Sequence, residues 1–194
     1  MRKILILIWM LIPIAAMAYH LGPGQQEIVL DDADVAIQQA EAHKSNEEWA
    51  KAVADYERAL SMLPDNEREA SWRLRIEKAK AQMLASELPA ANKDLKALVD
   101  DLLAEKDVDA NILNDARAAM ANSQYYRTWL MRLEGLPRET WEPEIESARQ
   151  TYKLLAETTE DSSKQKKLKE DLESTIRLAR MDLKDLQGLP LPSQ

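Results

Sequence analysis

The segment Trp49-Ala50-Lys51-Ala52-Val53-Ala54-Asp55-Tyr56-Glu57-Arg58-Ala59-Leu60-Ser61-Met62-Leu63-Pro64 sets Trp49, Val53, Tyr56, Leu60 and Leu63 at alternating intervals of four and three. That spacing brings the apolar side chains back to one face of a 3.6-residue helix and leaves Lys51, Glu57 and Arg58 elsewhere. Ser45-x-x-Glu48 ahead of it has the form of a capping box. Pro64, which lacks a backbone N–H, ends the helix.

The same period continues on both sides. An earlier helix is expected from about Ala33 to Ala42, capped by Asp31 or Asp32, whose charge suits its N-terminal dipole. A third, from Glu67 to Ala85, carries Trp72, Ile76, Ala79 and Met83 inward, and a fourth, starting near Pro89, carries Leu95, Leu98, Val99 and Leu102. The fifth, Asp109 to about Leu133, turns Ile112, Ala116, Met120, Tyr126, Leu130 and Leu133 inward and ends at Gly135. Thr140 is the expected cap of a sixth, with Trp141, Ile145, Ala148, Tyr152 and Leu155 as its stripe. The seventh, Ser163 to Gln187, repeats the pattern with Leu168, Leu172, Ile176, Ala179, Leu183 and Leu186 before Gly188 and Pro190. Short turns make chain neighbours antiparallel. The expected fold is therefore all-α, an α-solenoid or irregular array of about seven helices.

Composition agrees. Four Gly, no Phe and abundant Ala, Leu, Glu and Lys favour helix, because these side chains lose little rotamer freedom there. At the N-terminus Arg2 and Lys3 precede an apolar run from Ile4 to Met17 and the small-residue pattern Ala16-Met17-Ala18. Residues 1–18 thus read as a cleaved signal peptide or, alternatively, as a membrane anchor, although about 20 apolar residues are wanted for a span. Both place the rest of the chain outside the cytoplasm, in the periplasm or facing it from the inner membrane. Residues 19–30, with Gly22-Pro23-Gly24, read as a linker and 189–194 as a tail. The net charge is −8, and without Arg2 and Lys3 it is 24 cations against 34 acids, or −10. Such a surface repels phosphate backbones and excludes nucleic acid as the expected partner; a partner selected by charge is neutral or basic. No Cys is present, so there are no disulfides and no thiolate metal sites.

Ala52-x-x-x-Tyr56-x-x-Ala59-Leu60-x-x-x-Pro64, with Trp49 one turn earlier, resembles the later half of a tetratricopeptide repeat. The resemblance implies roles for Trp49, Ala52, Tyr56, Ala59 and Pro64 as packing residues: small Ala52 and Ala59 let helices approach, Tyr56 fills the groove, Pro64 ends the unit. The preceding helix departs from the pattern, with Ala36, Gln39 and His43 where large apolar residues are usual and only Ala40 fitting. The specific match covers residues 33–65, within a repeat-like region 31–105; residues 106–188 read as divergent C-terminal helices. Helices two, four and six begin near residues 46, 89 and 140, at intervals longer than the family's repeat of about 34. Tetratricopeptide proteins bind proteins or peptides, so the resemblance implies an interaction scaffold.

Motifs for chemistry fail one by one. Asp107-Val108-Asp109-Ala110-Asn111 opens like a calcium loop, but Ile112 stands where Gly is needed and Ala118 where Glu closes the site, which leaves helix capping. Asp31, Asp32 and Asp34 form an acidic helix start. His20 and His43 are the only imidazoles and share no helical face, and no nucleophile elbow or Gly-rich phosphate loop occurs. The run Lys164, Lys166, Lys167, Lys169 reads as a solvated face. No catalytic, metal or cofactor-binding residue is therefore expected. Among the aromatic residues Tyr125, Tyr126, Trp129, Trp141 and Tyr152, three fall on inward stripes; Tyr125 and Trp129, with Arg132, lie beside them and are the expected partner contacts. The expected function is an extracytoplasmic scaffold with a concave face built from the first helices of successive pairs. The alternative is a self-associating helical spacer formed by residues 108–187.

Overall fold

The computed structural model describes Ile12 and residues 23–188; the expected signal or anchor segment, His20 and the tail lie outside the described residues, Ile12 apart. Among residues 23–188 seven α-helices follow one another: α1 Pro23–Ser45, α2 Trp49–Met62, α3 Arg68–Leu84, α4 Leu88–Ala104, α5 Ala110–Leu133, α6 Arg138–Thr158 and α7 Ser162–Arg180. A 3-10 turn, Leu183–Gly188, closes the array. No strand occurs among the described residues, and none of their helices is long and apolar enough to cross a membrane. Each helix packs on its neighbours in the chain through links of three to five residues, and α3 also touches α5.

The links alternate in kind. After α1, α3 and α5 the chain passes through a left-handed residue, Glu47 (φ 59°), Ser86 (φ 66°) or Gly135 (φ 73°). In each case the amide just beyond bonds back to the carbonyl five residues earlier: Glu48 to His43 at 2.8 Å, Glu87 to Gln82 at 2.8 Å and Leu136 to Met131 at 2.9 Å. These are Schellman turns, which satisfy the last carbonyls while reversing direction. Helices α2, α4, α6 and α7 end instead on extended residues Leu63, Glu105, Thr159 and Met181. The repeated joint divides the array into pairs α1–α2, α3–α4 and α5–α6, followed by α7.

Packing in the first pair rests on small side chains. Ala36 and Ala40 of α1, Ala52, Val53, Tyr56 and Ala59 of α2 and Leu74 and Ala81 of α3 form one buried cluster. The Tyr56 hydroxyl donates to the Glu41 carboxylate. Burial, and then that carboxylate, hold the phenol well above its ordinary pKa. A second cluster joins Trp72, Ile76 and Ala79 of α3 to Leu95, Leu98 and Leu102 of α4 and Ile112 and Ala116 of α5.

Several local expectations are overturned. Helix α1 begins at Pro23, inside the stretch read as a linker, so Asp31 and Asp32 are interior residues rather than caps. The capping box does not form, because Ser45 still belongs to α1, where its Oγ donates to the Glu41 carbonyl. Glu48 bonds His43 Nδ1 at 2.6 Å and Lys51 at 2.7 Å instead. Pro137, not Thr140, precedes α6. Asp109 does cap α5, accepting from the Asn111 amide at 2.8 Å, and Asp161 caps α7 through Ser163 and Lys164.

The deeper correction concerns α5 and α7. The stripe through Tyr126, Leu130 and Leu133 does not point inward: Leu130 and Leu133 are each 41% exposed, while Tyr125 and Thr128 are fully buried. Helix α5 is covered on two sides, by α4 and by α6 with the 3-10 turn, so its inner surface is wider than one apolar stripe. In α7 the fully covered positions are Asp171, Thr175 and Leu178, and Leu168, Leu172 and Ile176 are only half-buried. The helix stops at Arg180 rather than running to Gln187, and the chain folds back to bury Leu186 against Tyr125, Trp141 and Leu178.

Candidate functional site

Between α3, α5, α6 and α7 lies a cleft of about 630 Å³. Along α5 it runs from Ala110 to Asn122, and Asn111, Asn114, Ala118 and Asn122, three or four apart, share one helical face. Lys80 and Met83 of α3, Tyr152 and Leu155 of α6 and Leu168 and Asp171 of α7 complete the walls, with the α6–α7 link and Lys164 at the open end. Twelve residue-to-residue rises of about 1.5 Å each make it roughly 18 Å long.

The deep end is polar and closed. Asn122 is 8% exposed and Asp171 7%. Four buried side-chain oxygens among the described residues lack a hydrogen-bond partner, on Asp55, Gln82, Asn122 and Gln124, and of these residues only Asn122 lines the cleft. Tyr125 and Tyr152 are buried close enough to Asp171 for its charge to act on them. Burial, then Tyr126 and Asp171, push the Tyr125 phenol up to about 12 against the opposing charge of Arg177. Burial, then Asp171, put Tyr152 well above the ordinary value. Both phenols therefore keep their protons at neutral pH and can act as donors.

A polar brace holds the wall in place. Arg127 donates to Asn92 Oδ1 at 2.6 Å and to Glu144 Oε1 at 3.1 Å, while Asn92 Nδ2 donates to Ser123 Oγ at 2.8 Å, tying α4, α5 and α6 together. Gln124 Nε2 reaches Ser147 Oγ at 3.0 Å. Pairing inside the fold lets Asn92, Ser123 and the Gln124 amide nitrogen be buried without losing hydrogen bonds, while Gln124 Oε1 stays without one.

The residues singled out in the sequence as partner contacts lie elsewhere. Tyr125 is fully buried and Trp129 half-buried in the cluster around Trp141 and Leu178. Arg132 stacks 4.8 Å over the Trp141 ring and donates to the Leu178 and Met181 carbonyls, which the end of α7 leaves without helical partners. Tyr125 is thus internal, while the half-buried Trp129 and Arg132 join the end of α5 to that of α7. In the repeat-like segment Ala52, Tyr56 and Ala59 are fully buried, and Trp49 and Pro64 are half-buried.

His43 stands between two carboxylates, Nδ1 at 2.6 Å from Glu48 and Nε2 at 3.5 Å from Asp55. The acids face opposite ring nitrogens, so the three side chains cannot converge on one cation.

Sequence reasoning missed Asn122 and Asp171. A signal was present: Asn111, Asn114 and Asn122 fall with Ala118 on one face of a helix whose neighbouring positions are buried, and Asp171 interrupts an apolar stripe. Comparison of the chain with protein-family models, curated proteins and solved structures finds no match.

Proposed function

We propose that this chain is a non-catalytic, tetratricopeptide-like interaction scaffold, carried outside the cytoplasm behind residues 1–18, that receives an extended segment of a partner protein in the cleft. The observation that carries this reading is the cleft's form. About 18 Å accommodates five or six extended residues at about 3.3 Å each. Asparagine amides offer both a donor and an acceptor, as a peptide backbone demands, beside the apolar Met83, Leu155 and Leu168. The first helices of successive units, α3, α5 and α7, supply most of the wall.

A photo-crosslinking residue at Ala118 in the native host, with the same residue at exposed Asn66 as control, tests the proposal. A discrete protein adduct from Ala118 alone is expected, and its loss when Asn114→Trp obstructs the cleft. Equal labelling from both positions would refute the assignment.

A second reading has one observation behind it: Leu130 (41% exposed), Leu133 (41%) and Leu136 (38%) form an apolar run at the end of α5. Such a run favours a self-associating spacer. Light scattering on the full chain separates the readings, because a monomer supports the scaffold. An oligomer dispersed by Leu130→Glu with Leu133→Glu supports the spacer.

A further inference from the structure

We infer that copies of this chain bind head to tail, the exposed face of α7 in one copy receiving the exposed face of α1 in the next. This contact is separate from the cleft and goes beyond the segment-binding reading.

Charge is unevenly placed along the array. Helix α7 holds six cations, Lys164, Lys166, Lys167, Lys169, Arg177 and Arg180, against three acids, in a chain whose net charge is −8. Helix α3 has a similar excess of cations but neutralises it inside the fold. Arg75 and Lys78 reach Asp101 and Asp94 of α4 at 2.9 and 2.8 Å, and Arg68 and Arg73 reach Glu105 and Asp109 in the link beyond it. By the alternation of joints α7 is the first helix of a fourth pair, and among the described residues no second α-helix follows to supply such acids. Arg177 and Arg180 are exposed and make no ion pair among the described residues. With Glu173 and Ile176 they fall three or four apart, on the side of α7 opposite the covered Thr175 and Leu178. These four and Met181 line a shallow depression of about 410 Å³.

The complementary face belongs to α1, at the other end of the array. Ala33, Ala36 and Ala40 are buried, and Asp31, Val35 and Gln38 stand on the opposite side of the helix, with Asp32 at their flank. Val35 is 52% exposed. From residue 31 to its end, α1 carries Asp31, Asp32, Asp34 and Glu41 against Lys44 alone. Antiparallel packing continues the rule of the array, and with Val35 set beside Ile176 it brings Asp31 and Asp32 to Arg180 and Arg177. The uncharged Gln38 and Gln39 then face Glu173, so opposite charges meet and like charges do not. Each copy offers a different patch to its two neighbours, so the contact repeats along a row or closes a ring. It leaves the cleft, on the other side of α7, open.

Sedimentation velocity on the purified full-length chain provides the test. At about 0.01 M salt, where charges act over about 30 Å, the chain should associate as its concentration rises, and at about 1 M, where they act over about 3 Å, it should be a monomer. Arg177→Glu with Arg180→Glu, and separately Asp31→Lys with Asp32→Lys, should each weaken association at least tenfold. An equimolar mixture of the two variants, in which an intact α1 face meets an intact α7 face, should recover it. All four side chains are exposed, and recovery in the mixture also shows that both variants fold. A chain that stays monomeric at low salt, association that either variant leaves unchanged, or a mixture that fails to recover while both variants keep the parent's circular dichroism would overturn the inference and leave the segment groove standing. Association dispersed by Leu130→Glu with Leu133→Glu would also overturn it, and would assign self-association to the end of α5.

Discussion

Replacing Ala59 by Leu forces three additional carbon atoms into the contact between α1, α2 and α3. Ala59 and Ala52 are fully buried, and Ala36 and Ala40 of α1 and Ala81 of α3 stand in the same cluster, so small side chains meet from three helices. The cleft does not reach either position and offers no room. The added atoms must displace backbone or leave their rotamers, at a cost of about 1–3 kcal/mol for Ala52→Leu or Ala59→Leu. In a chain of this length each kcal/mol moves the thermal midpoint by about 2–4 °C, so a loss of roughly 2–12 °C is expected. Lys51→Leu is the control, since Lys51 has a side chain 62% exposed and gives up only an ion pair with Glu48. Exposed pairs are worth little, and its midpoint should stay within about 0.5 kcal/mol of the parent. The assay is thermal melting by far-ultraviolet circular dichroism. If both alanine variants melt together with Lys51→Leu, helices α1, α2 and α3 do not make their close approach there and the packing assigned to the repeat-like segment is wrong.

Arg132→Met keeps the reach of the side chain and removes the donors to the Leu178 and Met181 carbonyls; it should cost about 2 kcal/mol and speed hydrogen exchange in the 3-10 turn. Unchanged exchange there would show that the clamp does not hold the end of α7. Gly135→Ala should cost about 1 kcal/mol in denaturant unfolding through backbone strain alone, because its φ is +73° and an added Cβ meets nothing within 4 Å; an unaltered midpoint would contradict the left-handed turn. For Glu77, burial alone would raise the pKa, but hydrogen bonds and charge from Lys80 at 2.8 Å and Lys44 at 3.0 Å bring it below 4.5. A depressed carboxylate contributes stability that is present above its unfolded value and lost as pH falls through the folded one. Stability of the parent should therefore drop from just above pH 4.5 downward, and Glu77→Gln should flatten that part of the curve. A variant curve parallel to the parent's would show that Glu77 contributes nothing.

Where an element has one wet face and one dry face, its role was legible in the residues. Helix α6 buries Trp141, Ile145, Ala148, Tyr152 and Leu155 as its spacing demands. Seven helices appear in their expected order, Asp109 caps α5, and Gly135 takes the left-handed turn that glycine adopts without strain. Periodicity and capping are local, so sequence alone determined the all-α array and the antiparallel neighbours implied by its short links. It did not determine which residues meet across helices. Glu47 and Ser86 make the same turn as Gly135 without the glycine, because packing on both sides of the link overrides local preference. Leu130 and Leu133 face outward while Tyr125, Thr128 and Arg132 turn in, because α5 has neighbours on two flanks and a single-stripe reading assumes one. The cleft is the extreme case. Asn122, Tyr152 and Asp171 belong to three different helices, and which polar side chains share a dry space depends on how those helices stack, a relation between distant residues that no local period encodes.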